Sequence, residues 1–216
     1  MRYYPLFLDI SGRRCVVVGG GTVAERKVRR LLECGARVEV VSVTLTAVLD
    51  ALKQEGRIVH HEADYDGTQL QGAFLVIGAT DNSTVNERVY RDARAGRILA
   101  NIVDQPRLCD FILPSLVERG DLSIAVSTSG RSPALAKQIR TELEDRYGPE
   151  YGILAGLLGE LRDRVLAGGR PADENREKFE ALLASDILEK IRARRWDEVK
   201  ALILERTGVE MEVRPG

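Results

Sequence analysis

The sequence predicts an α/β chain: a parallel sheet flanked by helices, then a small α/β segment, then a purely helical C-terminal part. Three observations predict it. In the first half, short β-branched runs alternate with stretches of helical periodicity, the pattern of βαβ units. One run, Cys15-Val16-Val17-Val18, is continuously apolar, as a strand buried on both faces must be. From Pro149 onward no strand pattern returns, and the helical spacing breaks only at Gly168-Gly169-Arg170-Pro171.

Taken in order, Cys15–Val18 runs into Gly19-Gly20-Gly21. Ala24, Val28, Leu31 and Leu32 then recur at helical spacing, with Glu25, Arg26, Lys27, Arg29 and Arg30 expected to point outward. Gly35 stands where a left-handed C-terminal cap is needed. Arg37–Val41 is a second strand, closing a unit of about thirty residues, the usual βαβ length. Three further strands are expected at Ile58–His60, Phe74–Ile77 and Ile98–Val103, separated by helices around Leu45–Gln54 and Val85–Ala95. Right-handed crossovers place these strands in one twisted sheet with helices on both faces. After Pro114, Leu122–Val126 reads as one further strand. Ser132 then caps a helix that begins at Pro133 and runs through Leu135, Ile139 and Leu143 to about Tyr147. The expected domains are 1–113, 114–148 and 149–216.

Composition removes several function classes. Lys and Arg number 32 against 33 Asp and Glu, a net charge of -1, which argues against a nucleic-acid binder with a broad basic face. No run reaches the eighteen or so apolar residues of a membrane span, and the N-terminus lacks a secretory pattern. Cys15, Cys34 and Cys109 are odd in number and widely spaced, fitting neither a disulfide framework nor a zinc site. A cytoplasmic protein without membrane or nucleic-acid partners and without a resident metal is expected.

Gly19-Gly20-Gly21-Thr22-Val23-Ala24 has the form Gly-x-Gly-x-x-Ala. Gly19 permits the tight turn, Gly21 lets the backbone approach a pyrophosphate, and Ala24 lets the helix pack close to its strand. The string follows a strand and opens a helix, the context that makes it a dinucleotide fingerprint of a Rossmann-type domain. A NAD site usually carries an acidic residue at the end of the second strand; Val41-Ser42-Val43-Thr44 has none, and no arginine for a 2′-phosphate either. Backbone groups and the hydroxyls of Ser42 or Thr44 are left to hold the ribose.

Ligands of such a sheet sit beyond the carboxyl ends of its strands. There Gly78-Ala79-Thr80-Asp81 offers small residues past which a cofactor can lie, with Thr80 beside it. Asn101-Ile102-Val103-Asp104 puts Asp104 at the mouth of the crevice. Asp104 is either a solvated turn residue before Gln105-Pro106 or a general base taking a proton as hydride leaves. His60 and His61 lie on the third strand, away from the expected crevice. No tyrosine is followed four residues later by lysine, so the short-chain dehydrogenase pair is absent.

These motifs stand in the order of a known family. Pro5-Leu6-Phe7-Leu8, Val16–Lys27, Ala79-Thr80-Asp81 with Val85-Asn86, Asn101–Asp104, Phe111–Ser115 and Ser127–Pro133 together resemble the precorrin-2 dehydrogenase module of siroheme synthase, from about residue 3 to residue 147. The resemblance implies NAD-dependent oxidation of precorrin-2, a tetrapyrrole, to sirohydrochlorin. Some members then insert ferrous iron as a second substrate; the residues leave that ability open. It implies an essential Asp104, and dinucleotide contacts at Thr22 and Val23 and at Val43 and Thr44. It also implies a homodimer that exchanges Pro114–Tyr147, making 114–148 a dimerisation segment. The chain stops at Gly216, short of the methyltransferase domain of longer siroheme synthases, so methylation is expected of another protein.

The residues themselves suit a polycarboxylate. Arg131, Lys137 and Arg140 follow the loop Ser127-Thr128-Ser129-Gly130, with Lys137 and Arg140 three apart on one helix face. They are either charge-assisted ligands for acetate and propionate arms or a solvated helix face. The competing function is a non-catalytic NAD-sensing regulatory module, which has no need of a basic Ser-Gly loop.

Overall fold

The computed structural model describes residues 3–167 and 172–213, which form two compact units divided between Leu113 and Pro114. The break expected at Gly168–Pro171 lies outside the described residues.

In the first unit, β1 (Arg14–Val18), β2 (Arg37–Val41), β3 (Ile58–His61), β4 (Leu75–Gly78) and β5 (Leu99–Ile102) form one parallel sheet ordered β3-β2-β1-β4-β5. Its register decides where a ligand can bind. Val18 pairs with Val41 on one side and Gly78 on the other, while Val41 pairs with His61 and Gly78 with Ile102. All five strands therefore end level, and the loops that follow them share one edge. The strand order reverses between β1 and β4, which opens a crevice at that edge.

Alternate residues of each strand feed two cores. Cys15, Val17, Val38, Val40 and Ile77 pack against α1 (Thr22–Glu33) and α2 (Ala47–Gln54) through Ala24, Val28, Leu31, Leu49 and Leu52. On the opposite face Val16, Val18, Val41, Val76 and Ala100 meet Val89 and Ala93 of α3 (Ser83–Gly96), with Tyr65 and Leu70 from the β3–β4 connection. Caps set the helix starts. Thr46 Oγ1 accepts from Leu49 N, so α2 opens at Ala47 rather than near Leu45. Asn82 Oδ1 accepts from the N–H groups of Thr84 and Val85, so α3 opens at Ser83, before Val85. Gly35, at φ 73°, follows α1 in the left-handed conformation anticipated for it.

The second unit departs from expectation at its start. Leu122–Val126 is not a lone strand: β6 (Ser115–Arg119) pairs antiparallel with β7 (Leu122–Val126) across a two-residue turn in which Gly120 has φ 55°. α4 (Pro133–Arg146) begins with Ser132 Oγ accepting from Leu135 N. Arg119 ties the hairpin to the end of α4, donating to the carbonyls of Tyr147 (2.9 Å) and Glu144 (3.3 Å). α5 (Pro149–Ala167), α6 (Ala172–Leu183), α7 (Ile187–Arg192) and α8 (Trp196–Thr207) build a separate core around Leu161, Leu182, Ile187, Ile191 and Ile203. Gly152 lets α5 pass the hairpin turn, since a Cβ there would stand 2.4 Å from the Arg119 carbonyl oxygen. Among the described residues, no helix is long and apolar enough to cross a membrane.

Candidate dinucleotide cradle and catalytic edge

The three glycines at the end of β1 do three different things. Gly19 turns the chain at φ 121°, and a Cβ on it would lie 2.4 Å from the Ala79 carbonyl oxygen. Gly20 is pressed against the β2–α2 loop: its Cβ would stand 1.9 Å from Thr44 O and 2.6 Å from Ser42 Oγ. Gly21 faces open space, with nothing within 4 Å of the place a Cβ would fill. It also precedes α1 as an N-cap without a side-chain cap, so the first-turn N–H groups and the positive end of the helix are left for another acceptor. A diphosphate suits that helix start in charge and in hydrogen-bonding need.

The wall opposite is held by a small network. Gly19 N donates to Val41 O (2.9 Å) and Thr46 N to Gly20 O (3.0 Å), clamping the glycine loop to the end of β2. Thr46 Oγ1 donates to Glu25 Oε2 of α1 (3.0 Å). Ser42, considered above as a ribose ligand, turns its hydroxyl onto Thr44 O at 2.6 Å. Val43 and Thr44 are exposed beside it, Val43 at 57%. His60 is nearer the site than its strand position indicated: its Nε2 bonds Ser42 O at 2.8 Å and so braces this wall from behind. His61 stays away, on Glu39 (2.7 Å), whose carboxyl is held below its ordinary range by the Arg14 guanidinium and then by His61.

Thr80 lies on the next loop of the same edge, and its hydroxyl is engaged. Thr80 Oγ1 sits 2.9 Å from Asn86 Oδ1, and Asn86 Nδ2 donates to Thr80 O at 2.8 Å. Asn86, 4% exposed on α3, is thus the buried polar residue that shapes the β4–α3 loop. The sequence alone gives it no role, because an Asn inside the first turn of a helix has no local signature beyond its polarity.

Asp104 ends β5's loop at the same edge, exposed, in the left-handed region at φ 58°. Aspartate tolerates that region better than most residues, and few non-glycine residues among those described use it. Cys109 pins the loop from below: its Sγ accepts from Ile102 N (3.3 Å) and lies 3.2 Å from Ile102 O and 3.3 Å from Gln105 O. Lys27 corrects the outward placement expected of it. It shares the α1 stripe of Ala24 and Leu31, is only partly exposed, and its ammonium feels both Asp104 and Cys109.

Gly19, Gly21, Val43, Thr44, Thr80 and Asp104 therefore all belong to the loops at one edge of the first unit's sheet, and Thr22 and Val23 open α1 at the same edge. The residues considered for a polycarboxylate lie in the second unit, on the β7–α4 loop and α4. Three of them, Ser127, Thr128 and Arg140, are already spent locally. Thr128 Oγ1 bridges Ser132 N and O at 3.0 Å, and Ser127 Oγ accepts from Ser129 N at 3.1 Å, while Ser129 and Gly130 turn the loop at φ 55° and 77°. Arg140 is paired with Glu144 one turn on. Arg131 and Lys137 are exposed. No group of three His, Cys, Asp or Glu able to hold a metal occurs among the described residues.

A parallel sheet with a glycine turn, an open helix N-terminus and a strand-edge carboxylate defines a dinucleotide-binding protein of the Rossmann class. The NAD(P)-binding family model matches residues 6–115, and the model for the central domain of sirohaem biosynthesis proteins matches residues 119–146. Siroheme synthase of Nitrosococcus oceani is 40% identical over 94% of this chain and 43% of its own length. Siroheme synthase of Methylobacillus flagellatus is 46% identical over 76% of this chain and 35% of its own. The chain thus spans less than half the length of these curated relatives. A solved structure of SirC, precorrin-2 dehydrogenase, superposes with a TM-score of 0.79 at 25% identity, covering 96% of this chain and 100% of that one. The chain belongs to the NAD(P)-binding family, in the branch it shares with siroheme synthases and precorrin-2 dehydrogenase.

Proposed function

We propose that this chain is an NAD-dependent dehydrogenase that oxidises precorrin-2 to sirohydrochlorin in siroheme biosynthesis. One observation carries the reading: the chain follows precorrin-2 dehydrogenase over 96% of its length, with Gly21 and the uncapped start of α1 open on the edge that also bears Asp104. Bound NAD would supply the hydride acceptor. Gly19, Gly21, Thr22 and Val23 hold its diphosphate through main-chain groups, Val43 and Thr44 its ribose, and Thr80 lines its path. The oxidation removes a hydride and a proton from the substrate, and Asp104 takes the proton. Arg131 and Lys137 offer charge-assisted bonds to carboxylate arms; Arg140 would first have to leave Glu144.

The proposal includes a cytoplasmic homodimer that exchanges Pro114–Tyr147. It is supported by the β6–β7 hairpin, in which Val117 is the one buried residue of either strand. Ferrous iron is proposed as a second substrate, with Asp104 again accepting protons as pyrrole nitrogens lose them.

The test is incubation with precorrin-2 and NAD, followed by absorbance, then addition of ferrous iron. Asp104→Ala should lower the oxidation rate by about 10²–10⁴. NAD binding without any oxidation by the native chain would leave only the sensing role. An unchanged spectrum after iron addition would remove the second activity.

A further inference from the structure

Lys27 occupies a position that a purely solvating lysine would not. It lies three residues after Ala24 and four before Leu31, both buried, so its stem belongs to the packed stripe of α1. It is five residues past the start of the helix, about 7.5 Å of axial rise. Side chains on a helix lean toward its N-terminus, so the ammonium reaches back toward the edge on which the glycine loop and the β5 loop open. Burial of the stem lowers its pKa, and Asp104 and Cys109 oppose that shift, which places both within electrostatic range.

Asp104 complements it. The carboxylate makes no hydrogen bond or ion pair among the described residues, yet its backbone is fixed by the left-handed turn and by Cys109 beneath. Its backbone is thus held in place while its side chain is exposed to solvent. Lys27 is the α1 cation on which the Asp104 charge acts, and Arg26, the next residue back, acts on Lys27 by repulsion.

We infer that Lys27 is a positioning residue, whose ammonium draws the Asp104 carboxylate out of solvent and aims it across the crevice at the substrate's departing proton. Lys27 exchanges no proton and takes no part in the bond changes. The inference rests on the reading of Asp104 as the base, and the test separates the two.

The experiment is a double-mutant cycle read as the single-turnover rate of NADH formation from saturating precorrin-2 and NAD, with NAD affinity and melting temperature measured on each protein. Lys27→Met should slow the step roughly tenfold, within the range that coupled neighbouring residues produce, with NAD affinity unchanged. Lys27→Arg should recover most of the rate, which a merely structural role for the stem does not require. In an Asp104→Asn background, Lys27→Met should cost nothing further. Lys27→Gln repeats the cycle should the methionine variant melt early. The inference is overturned by equal losses in both backgrounds, by an unchanged rate, or by a loss confined to NAD affinity, which would make Lys27 a phosphate ligand. A near-normal rate for Asp104→Asn alone would sink the base itself, whereas a crippled Asp104→Asn with independent losses sinks only Lys27.

Discussion

Gly20 and Gly21 are adjacent, yet adding one methyl group to each should damage different properties. In Gly20→Ala the new Cβ would lie 1.9 Å from Thr44 O, so backbone must retreat by about 1.5 Å to reach ordinary contact near 3.4 Å. That retreat strains the Thr46 N to Gly20 O bond and the Ser42 Oγ to Thr44 O bond. Overpacking of this kind costs about 1–3 kcal/mol, and each strained hydrogen bond about 1 kcal/mol. The reduced freedom of the unfolded chain returns about 0.4–1 kcal/mol. The net loss is about 2–5 kcal/mol. Gly21→Ala meets open space at an ordinary φ of -85°, so stability should stay within about 0.5 kcal/mol while NAD affinity falls at least about tenfold. Urea unfolding and NAD titration on both variants read the two effects separately. Wild-type stability in Gly20→Ala would refute the clamp between the loops, and wild-type NAD affinity in Gly21→Ala would refute the cradle.

Other outcomes follow from the same geometry. Gly21→Asp adds a negative charge where the diphosphate rests and should abolish NAD binding in a titration that still shows a folded protein. Asp104→Gly relieves the left-handed backbone at φ 58°, so stability should hold or rise by up to about 1 kcal/mol while precorrin-2 oxidation is lost; a fall in melting temperature would contradict the strain. Glu39 has its folded pKa depressed by Arg14 and then His61, so its contribution is present above the ordinary carboxyl value near 4.5 and is lost as pH falls below it. Glu39→Gln should accordingly lower stability at neutral pH, flatten the acid limb, and leave stability unchanged at pH low enough to protonate Glu39 in the native protein. Burial pushes the Cys15 thiol up to about 11, whereas Cys34 is exposed. A thiol reagent should modify Cys34 in the native protein and Cys15 only after unfolding, as peptide mass mapping can check.

The parts legible beforehand share a local cause. The order of strands and helices, the glycine turn and the Ser132 cap each follow from residues a few positions apart, through periodicity, backbone freedom or a single side-chain bond. The hairpin strand Ser115–Arg119 escaped because two of its five residues are charged and it buries Val117 alone, so no alternation of period two stands out. Asn86 and His60 escaped for a related reason: each bonds a backbone oxygen outside its own element, Thr80 O and Ser42 O, and a backbone atom leaves no trace in residue type.

The α/β class and the presence of a dinucleotide turn were decided by the sequence alone, since strand runs, helical spacing and glycine's access to positive φ are properties of consecutive residues. Tertiary structure decided which glycine is a clamp and which a cradle, which lysine feels the Asp104 charge, and which hydroxyls are already spent. Those answers depend on atoms from β2, α1, α3 and the β5 loop brought level by the sheet's register. A contact between elements is set by the packing of both, and neither stretch of chain contains it.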